Sequence, residues 1–257
     1  MHMVSVPVDV KSQSLCVLTF PVTSSVSAKA QEWSQFLKAP LNPANPQDFF
    51  FHFIVEGDSV SVKDKEGRKL VIDFDENHLD YQRRGHRGKN EIIAKALGVA
   101  KGCRKILDLS VGMAIDSVFL CQLGFKVTGL ERSPVLYALL KEAFAKSQKP
   151  ELEGYQLIQA DSREFLETQK NKIEIDSIYF DPMYPHKKKS ALPKQEMVVF
   201  RDLVGDDADA SEVLKLALTW PVRRVVVKRP MKAEVLLPGV SHSFEGKVVR
   251  YDTYVVG

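Results

Sequence analysis

The sequence predicts an α/β protein in which a Rossmann-like, mostly parallel sheet has helices on both faces and follows a small α+β lobe. Three observations support this fold class. From about residue 90, short apolar strands alternate with amphipathic helices, which is typical of βαβ units. These strands are continuous apolar runs, as expected for parallel strands that are buried on both faces. Before about residue 80, apolar strands instead follow one another across Gly-containing turns.

Residues 1–80 are the predicted α+β lobe. Its first elements are a strand at Leu15–Phe20 and a helix at Ala28–Lys38, after which a proline-rich loop excludes further helix. The strands predicted next are Phe49–Val55, Val60–Lys63 and Lys69–Phe74. The run of three phenylalanines that opens the first of these strands fits either a base-stacking platform or a buried strand, and we expect the buried strand.

Residues 81–257 are the predicted Rossmann-like domain. Its expected strands are Lys105–Leu109, Lys126–Leu130, Tyr155–Gln159, Ile175–Phe180, Arg224–Lys228 and Val248–Val256, the last of them antiparallel at the edge. Its expected helices are Lys89–Leu97, Asp116–Leu123, Pro134–Lys146, Ser162–Gln169 and Ser211–Ala217.

Composition narrows the class of protein. The chain has 257 residues and a formal net charge of +3, so its total charge does not by itself indicate a nucleic-acid binder. Cys16, Cys103 and Cys121 have no metal-type spacing and are expected to be reduced packing thiols. Neither a signal peptide nor a membrane-length apolar run is found, so we expect a soluble cytoplasmic protein that needs no membrane and no metal.

Four successive strands of the predicted sheet are each followed by a carboxylate, namely Asp108, Glu131, Asp161 and Asp181. Because ligands bind outside the carboxyl ends of parallel strands, we expect the four to share one edge of the sheet. Glu131 lies about 20 residues beyond the first loop, where an acid accepts from the two hydroxyls of a ribose. Asp161 is placed to meet an adenine amino group beside the N–H of Ser162, although Asp161 also suits a helix N-cap.

The loop after the first strand, Asp108-Leu-Ser-Val-Gly-Met-Ala-Ile-Asp116, is expected to follow the outline of a cofactor. It contains one glycine, Gly112, and Ala114 stands where a second would be expected. A dinucleotide pyrophosphate needs a fuller glycine pattern, whereas a cofactor derived from methionine has no phosphate to bind. Asp116 either caps the following helix or contacts the charged methionine end of such a cofactor.

The loop after the fourth strand carries the most specific motif, Asp181-Pro-Met-Tyr184. An exocyclic base amine is a weak nucleophile because its lone pair is delocalised into the ring. Asp181 and the carbonyl of Pro182 can accept its two N–H bonds and hold the amine in line with a methyl donor. Pro182 keeps the turn rigid, and Tyr184 can stack on the base. These three residues are the predicted catalytic set.

Two basic segments suit contacts with RNA phosphates. The predicted RNA-binding residues are Arg83, Arg84 and Arg87 in the first segment, and His186, Lys187, Lys188 and Lys189 in the second. Further cations that flank the last parallel strand are Arg223, Arg224, Lys228 and Arg229.

The segment Phe180–Ala191, with Lys194–Met197 and Val227–Pro230, resembles the RsmJ-type guanine-N2 methyltransferases of bacterial 16S ribosomal RNA. Leu130–Pro134 and Arg87–Gly98 are also similar to that family. The resemblance implies a class I S-adenosylmethionine-dependent methyltransferase fold, S-adenosylmethionine as donor, and the 2-amino group of a guanosine in small-subunit ribosomal RNA as acceptor. Added to Asp108 and Gly112 of the first loop, the cofactor residues that it implies are Ile115, Asp116, Glu131, Arg132, Asp161, Ser162 and Asp181.

Two other functions remain open. An adenine-N6 methyltransferase acting on DNA or RNA shares the Asp-Pro-x-Tyr pattern. A catalytically silent RNA-binding or ribosome-assembly protein on the same fold is favoured by Ala114, where the family has glycine. Ile115 is a further departure, since the family usually has a polar residue there. The retained acids Glu131, Asp161 and Asp181 argue against a silent protein. The expected partner is ribosomal RNA, naked or partly assembled, with no obligate protein partner evident.

We predict that neutralising Lys187, Lys188 and Lys189 together weakens RNA binding. For every phosphate that is no longer neutralised, the dependence of log affinity on log salt should flatten by roughly one slope unit, because fewer counterions are released. Titrations of RNA at several salt concentrations measure this slope, and binding of S-adenosylmethionine serves as the control that should not change. An unchanged salt slope would mean that these lysines are only a solvated run.

Overall fold

A computed structural model of the chain describes residues 14–75, 91–183 and 195–256. Among them, the strands in chain order are β1 (Leu15–Phe20), β2 (Phe51–Glu56), β3 (Ser59–Asp64), β4 (Lys69–Leu70), β5 (Lys105–Asp108), β6 (Lys126–Glu131), β7 (Gln156–Gln159), β8 (Ser177–Phe180), β9 (Arg224–Pro230), β10 (His242–Glu245) and β11 (Val249–Val255). The α-helices in chain order are α1 (Ser24–Leu37), α2 (Ile92–Ala96), α3 (Ile115–Gln122), α4 (Pro134–Lys146), α5 (Ser162–Thr168), α6 (Gln195–Val204) and α7 (Ala210–Ala217).

The described residues divide into two compact units, each considered by itself. The first contains residues 14–73, 133–145 and 195–206, and the second contains 74–75, 91–132, 146–183 and 207–256. The predicted boundary between lobe and domain, at residues 80 and 81, lies outside the described residues and stays a prediction.

The first unit is built on a four-stranded sheet in the order β1-β2-β3-β4. The meander predicted for β2, β3 and β4 is confirmed, while β1 lies parallel to β2. Helix α1 begins four residues earlier than predicted because the hydroxyl of Thr23 accepts the N–H of Val26 and caps it. Trp33 of this helix is buried and donates from Nε1 to Glu142 of α4 at 2.9 Å. Phe51 is fully buried in β2, as expected, whereas Phe49 and Phe50 are half-buried and precede this strand, which begins two residues later than predicted.

The second unit is built on a seven-stranded sheet in the order β10-β11-β9-β8-β5-β6-β7. Neighbouring strands from β9 to β7 are parallel, and β11 runs antiparallel to both of its neighbours. The six strands predicted here all form, with ends within about two residues of those expected. The chain builds β5, β6 and β7 outward in one direction and then returns to place β8 on the other side of β5. The order of strands therefore reverses between β5 and β8, where a crevice is expected.

Two features of this sheet differ from the prediction. The sequence does not predict β10, because its residues, His-Ser-Phe-Glu, lack a run of apolar or alternating side chains. Since β10 pairs with β11 on its outer side, the expectation that β11 forms the edge is wrong, although its antiparallel direction is confirmed. Helix α6 of the first unit is likewise absent from the prediction.

Gly129 of β6 lies where the strand backbone is closely approached by the side chains of Tyr155 and of Val111 in the loop after β5. A Cβ atom at this position would lie 2.1 Å from Oη of Tyr155 and 2.4 Å from Cγ2 of Val111. Real Cβ atoms do not approach other atoms so closely, so the strand needs glycine here. The hydroxyl of Tyr155 donates in turn to Oγ of Ser117 on α3 at 3.2 Å. This close packing fixes the loop that carries Val111 against the sheet.

We predict that Gly129→Ala destabilises the protein by about 1–3 kcal/mol, the usual cost of adding a methyl group to a full site. Urea unfolding gives the free energy. The matched background is Tyr155→Phe, which removes the oxygen nearest to the new methyl group, so the cost of Gly129→Ala should be smaller there. An equal cost in both backgrounds would show that Tyr155 is not the obstacle.

Candidate active site

The carboxyl ends of β5 to β8 bring four acids to one edge of the sheet, as predicted: Asp108, Glu131, Asp161 and Asp181. At the reversal between β5 and β8, the loops that follow the two strands are tied to each other. The N–H of Asp181 donates to Oγ of Ser110 at 2.8 Å. This bond holds the two loops together at the place where the sheet is expected to bind a ligand.

The loop after β5 folds tightly onto the end of β6. The N–H of Gly112 donates to Oε2 of Glu131 at 3.2 Å. Gly112 has a φ of 57°, and Ala114 has a φ of 58°, in the left-handed region that costs a residue with a Cβ about 1–2 kcal/mol. The predicted departure from glycine at Ala114 therefore falls where glycine is favoured, and Ile115 begins α3 directly after it.

Asp108 lies beneath this loop with 1% of its surface exposed. Its Oδ1 accepts the N–H of Ser110 at 3.0 Å, and its Oδ2 accepts the hydroxyl of Ser117 at 2.6 Å. Burial raises the pKa of Asp108 to about 7, against the opposing effect of these two bonds. Both carboxylate oxygens are thus engaged inside the protein and shape the loop, while the predicted contact of Asp108 with a cofactor stays a prediction.

A lysine from β9 joins two of the predicted site residues. Nζ of Lys228 lies 2.6 Å from Oδ2 of Asp116 and 2.9 Å from Oδ2 of Asp181. The hydroxyl of buried Tyr179 on β8 donates to the same oxygen of Asp116 at 2.6 Å. Asp116 therefore accepts from a lysine and a tyrosine and does not cap α3, while its predicted contact with a cofactor stays a prediction.

The charges of this cluster are tuned by burial and by one another. Burial raises the pKa of Asp181 to about 6, in opposition to the nearby positive charge of Lys228. Burial lowers the pKa of Lys228, but the charges of Asp116 and Asp181 outweigh this and raise it above its usual value. Burial raises the pKa of Tyr179 well above its usual value, so its hydroxyl stays a donor.

Arg132 supports the loop after β8 from the side. Its guanidinium group bonds to Asp207 and lies 3.4 Å from Asp209. Asp207 in turn accepts the N–H of Met183 at 2.7 Å and returns its own N–H to the carbonyl of Met183 at 3.1 Å. Pro182, next to Met183, is buried. The guanidinium of Arg132 is therefore bonded to the acids that hold this loop, while its predicted contact with a cofactor stays a prediction.

Asp161 and Ser162 lie at the beginning of α5. Oδ1 of Asp161 accepts the N–H of Arg163 at 2.9 Å, so the N-cap considered for Asp161 is observed. Although partial burial raises the pKa of Asp161, hydrogen bonds from Arg163 outweigh it and lower the pKa. Oγ of Ser162 donates to the carbonyl of Leu109 at 2.6 Å, which ties α5 to the end of β5.

The four cations that flank β9 do not form one patch. Arg223 and Arg224 lie at the amino end of β9, and their guanidinium groups donate to backbone carbonyls. Lys228 lies among carboxylates, and Arg229 is buried with 7% of its surface exposed. Strand residues that alternate in direction and span the length of β9 cannot present their charges together.

Several predicted site residues lie outside the described residues and stay predictions. They are Arg83, Arg84, Arg87, Tyr184, His186, Lys187, Lys188 and Lys189. Within residues 14–75, 91–183 and 195–256, no three His, Cys, Asp or Glu side chains are grouped to hold a metal ion. In the same ranges, no helix combines the length and apolar character that crossing a bilayer requires.

The carboxylates at this edge suit a cationic ligand that carries hydroxyl groups. Glu131 and Asp161 end neighbouring strands and are acceptors for hydroxyl and amino groups, whereas Asp116 and Asp181 surround a single lysine. An edge rich in negatively charged carboxylates would repel the negatively charged phosphates of a dinucleotide. These residues therefore fit the S-adenosylmethionine that the family resemblance implies.

Sequence reasoning missed several residues that build the site. Lys228, Tyr179 and Asp207 come from β9, from β8 and from the loop before α7. A lysine that follows three valines in a buried strand is a usable signal for Lys228, because a buried cation needs a partner. Nothing in the sequence near Asp207 pairs it with Met183, since only the folded chain brings the two together.

The chain is similar to known methyltransferases over most of its length. A family model described as SAM-dependent methyltransferase matches residues 38–256. The ribosomal RNA small subunit methyltransferase J of Bdellovibrio bacteriovorus is 74% identical over 90% of this chain and 92% of that protein. The protein of the same name from Desulfotalea psychrophila is 38% identical over 91% of this chain and 94% of that protein. The crystal structure of a SAM-dependent methyltransferase from Neisseria gonorrhoeae matches with a TM-score of 0.69 and 27% identity, over 93% of this chain and 95% of that one.

We predict that Asp108→Asn makes stability less sensitive to pH. Burial raises the pKa of Asp108 to about 7 in the folded protein, against about 4 in the unfolded chain. The contribution of this carboxyl is therefore complete below about pH 4 and is lost as the pH rises to about 7. In urea unfolding between pH 4 and 8, the free energy of unfolding of the variant, relative to that of the parent protein, should rise by at most about 1.4 kcal/mol per pH unit. A difference between the two proteins that is independent of pH would contradict the raised pKa.

Proposed function

The chain belongs to the ribosomal RNA small subunit methyltransferase J family, and from this premise we propose that it methylates the 2-amino group of a guanosine in small-subunit (16S) ribosomal RNA. Its fold is that of a class I methyltransferase and its cofactor is S-adenosylmethionine. The observation that carries the proposal is the position of Asp181. This carboxylate follows β8 at the reversal of the sheet, begins the Asp-Pro-Met-Tyr motif, and has one oxygen held by Lys228.

The cofactor side of the site is formed by the ends of β5, β6 and β7. When bound, S-adenosylmethionine supplies an electrophilic methyl group attached to a cationic sulfur. Glu131 would accept from the ribose hydroxyls while it holds the N–H of Gly112. Asp161 and the backbone N–H of Ser162 would meet the adenine. Gly112 and Ala114, both in the left-handed region, keep the loop after β5 compact beside the cofactor.

The acceptor side is formed by the loop after β8. The amine of the base must present its lone pair to the methyl carbon, and its two N–H bonds must therefore be directed elsewhere. Asp181 and the carbonyl oxygen of Pro182 would accept these two bonds and favour the positive charge that develops on nitrogen. Asp207 and Arg132 hold the loop in place, through the bonds between Asp207 and Met183. Tyr184 would stack on the extruded base.

The RNA would be bound mainly through its phosphates. We assign these contacts to Arg83, Arg84, Arg87 and to the segment from His186 to Lys189, which follows the catalytic motif in sequence. The cytoplasm, where ribosomal RNA is processed, is the compartment that this substrate requires. Methylation of guanine-N2 is preferred here over methylation of adenine-N6 because the segment Phe180–Ala191 resembles the guanine-N2 family. Mapping the labelled nucleotide in ribosomal RNA from a strain that lacks the enzyme separates the two.

We predict that Asp181→Ala lowers the rate of methyl transfer by about 100-fold or more, the scale seen when one preorganised electrostatic partner is removed. RNA affinity should change little, because phosphate contacts dominate it. The measurement is single-turnover transfer of a labelled methyl group at saturating S-adenosylmethionine. Asp58→Ala is the control, since Asp58 is exposed in the turn between β2 and β3.

Near-normal turnover by Asp181→Ala would remove this loop from the mechanism. A parent protein that binds ribosomal RNA but gives no heat on titration with S-adenosylmethionine would instead support the catalytically silent alternative.

A further inference from the structure

Lys228 occupies a position that charge pairing alone does not explain. Its neighbours in β9, Val225, Val226 and Val227, are fully buried, and the side chain of Lys228 is 22% exposed. Replacing a desolvated ion pair by apolar residues often leaves stability unchanged or raises it. Here a single lysine faces the two carboxylates of Asp116 and Asp181, so the cluster keeps one net negative charge. Such an arrangement adds little to stability, and it suits a lysine that sets the direction and the ionisation of a carboxylate.

The geometry divides the two oxygens of Asp181 between different tasks. Oδ2 accepts from Lys228 at 2.9 Å, and within the described residues no hydrogen bond reaches Oδ1. The backbone of Asp181 is held separately, through its N–H, by Ser110. With both the backbone and Oδ2 held, the direction of Oδ1 is set. The side chain is 34% exposed, so the carboxylate is not enclosed by the protein.

We propose that Lys228 is a positioning residue for methyl transfer, which holds Oδ2 of Asp181 so that an ionised Oδ1 receives the acceptor amine. This inference rests on the function proposed above, because it needs an amine that Asp181 accepts from. Lys228 itself touches neither the base nor the methyl group. Its effect passes through the direction and the ionisation of Asp181.

The ionisation of Asp181 depends on groups from each neighbouring element. Asp116 on α3, Asp207 before α7 and Asp108 on β5 are acidic and disfavour its charge, and Tyr179 on β8 is a neutral donor to Asp116. Lys228 is the opposing positive charge, and its own pKa is raised, so it stays protonated over the working range. Burial raises the pKa of Asp181 to about 6 even with Lys228 present. A protonated Asp181 would offer a donor to the amine and lose the interaction.

Two variants should move this pKa in opposite directions. Lys228→Met removes the positive charge at similar length and should raise the pKa of Asp181 by about one pH unit or more. Asp116→Asn removes a neighbouring negative charge, so that Asp181 becomes the only carboxylate paired with Lys228. This change should lower the pKa of Asp181. Lys228→Arg keeps the charge and should stay near the parent value. Lys105→Met is the control, since Lys105 pairs with Glu174 at the amino end of β5 and should move nothing.

Two measurements report the effect. Carbon-13 NMR of the aspartate carboxyl groups, with the signal assigned through Asp181→Asn, follows the titration of Asp181 in the protein without cofactor. Single-turnover transfer at saturating S-adenosylmethionine between pH 5 and 9 gives a pH–rate profile, and its acid limb is the fall in rate at low pH as Asp181 becomes protonated. For Lys228→Met we expect the limb to move to higher pH. A shift of one pH unit gives a rate loss of about fivefold at pH 6 and about twofold at pH 7, and the loss vanishes towards pH 9.

An Asp181 titration and an acid limb that do not move in Lys228→Met would overturn the inference. If Lys228→Met fails to fold, Lys228→Gln decides, because it also removes the positive charge but keeps a polar side chain. An Asp181 titration that does not move in Lys228→Gln overturns the inference equally. The failure of this inference is distinct from failure of the proposed function. If Asp181→Ala transfers methyl slowly but the Asp181 titration does not move in Lys228→Met, only the role of Lys228 is rejected. If Asp181→Ala turns over normally, the proposed function of the loop after β8 is rejected.

Discussion

The parallel pairing of β5 with β8 is the constraint on which the rest of the site depends. Leu107 lies opposite Ile178, and Asp108 lies opposite Tyr179, so the two strands end together at the reversal of the sheet. Beyond this point the chain leaves the two strands in separate loops, which places polar backbone and side-chain groups at the edge. The bond between Ser110 and Asp181 fixes the separation of the two loops. A residue on either loop thus inherits its position from the register of two buried strands.

Burial gives neighbouring carboxylates at this edge different chemical roles. Asp108 is enclosed, has both oxygens bonded within the protein, and has its pKa raised to about 7 by burial. Asp181 is similarly shifted to about 6, mainly by burial, but it remains partly exposed and faces a lysine. The first carboxyl therefore organises the loop after β5, and the second is the one proposed to receive the substrate. The difference arises from solvent access and from partners, since the two residues are chemically identical.

A second network supports the loop after β8. Asp207 holds both polar groups of the backbone at Met183 and is itself bonded by Arg132, which follows Glu131 directly in the chain. The end of β6, proposed to hold the cofactor, is therefore connected to the loop proposed to hold the acceptor. Preorganised groups of this kind lower the barrier because they need not reorient during the reaction. Arg132, predicted from the sequence to be a cofactor residue, has its observed bonds in this support.

Apolar runs and polar residues at strand ends are local patterns, and from them the class of fold, the five parallel strands and the four acids that follow β5 to β8 could be predicted. The sequence also contained the Asp-Pro-Met-Tyr motif. It did not indicate that β10 covers β11, that Asp108 is buried, or that Lys228 bridges Asp116 and Asp181. Asp116 and Lys228 are 112 residues apart, and only the sheet brings them within 2.6 Å. Local periodicity fixes which residues form a strand, whereas solvent exclusion and pairing across strands decide what each charged side chain does.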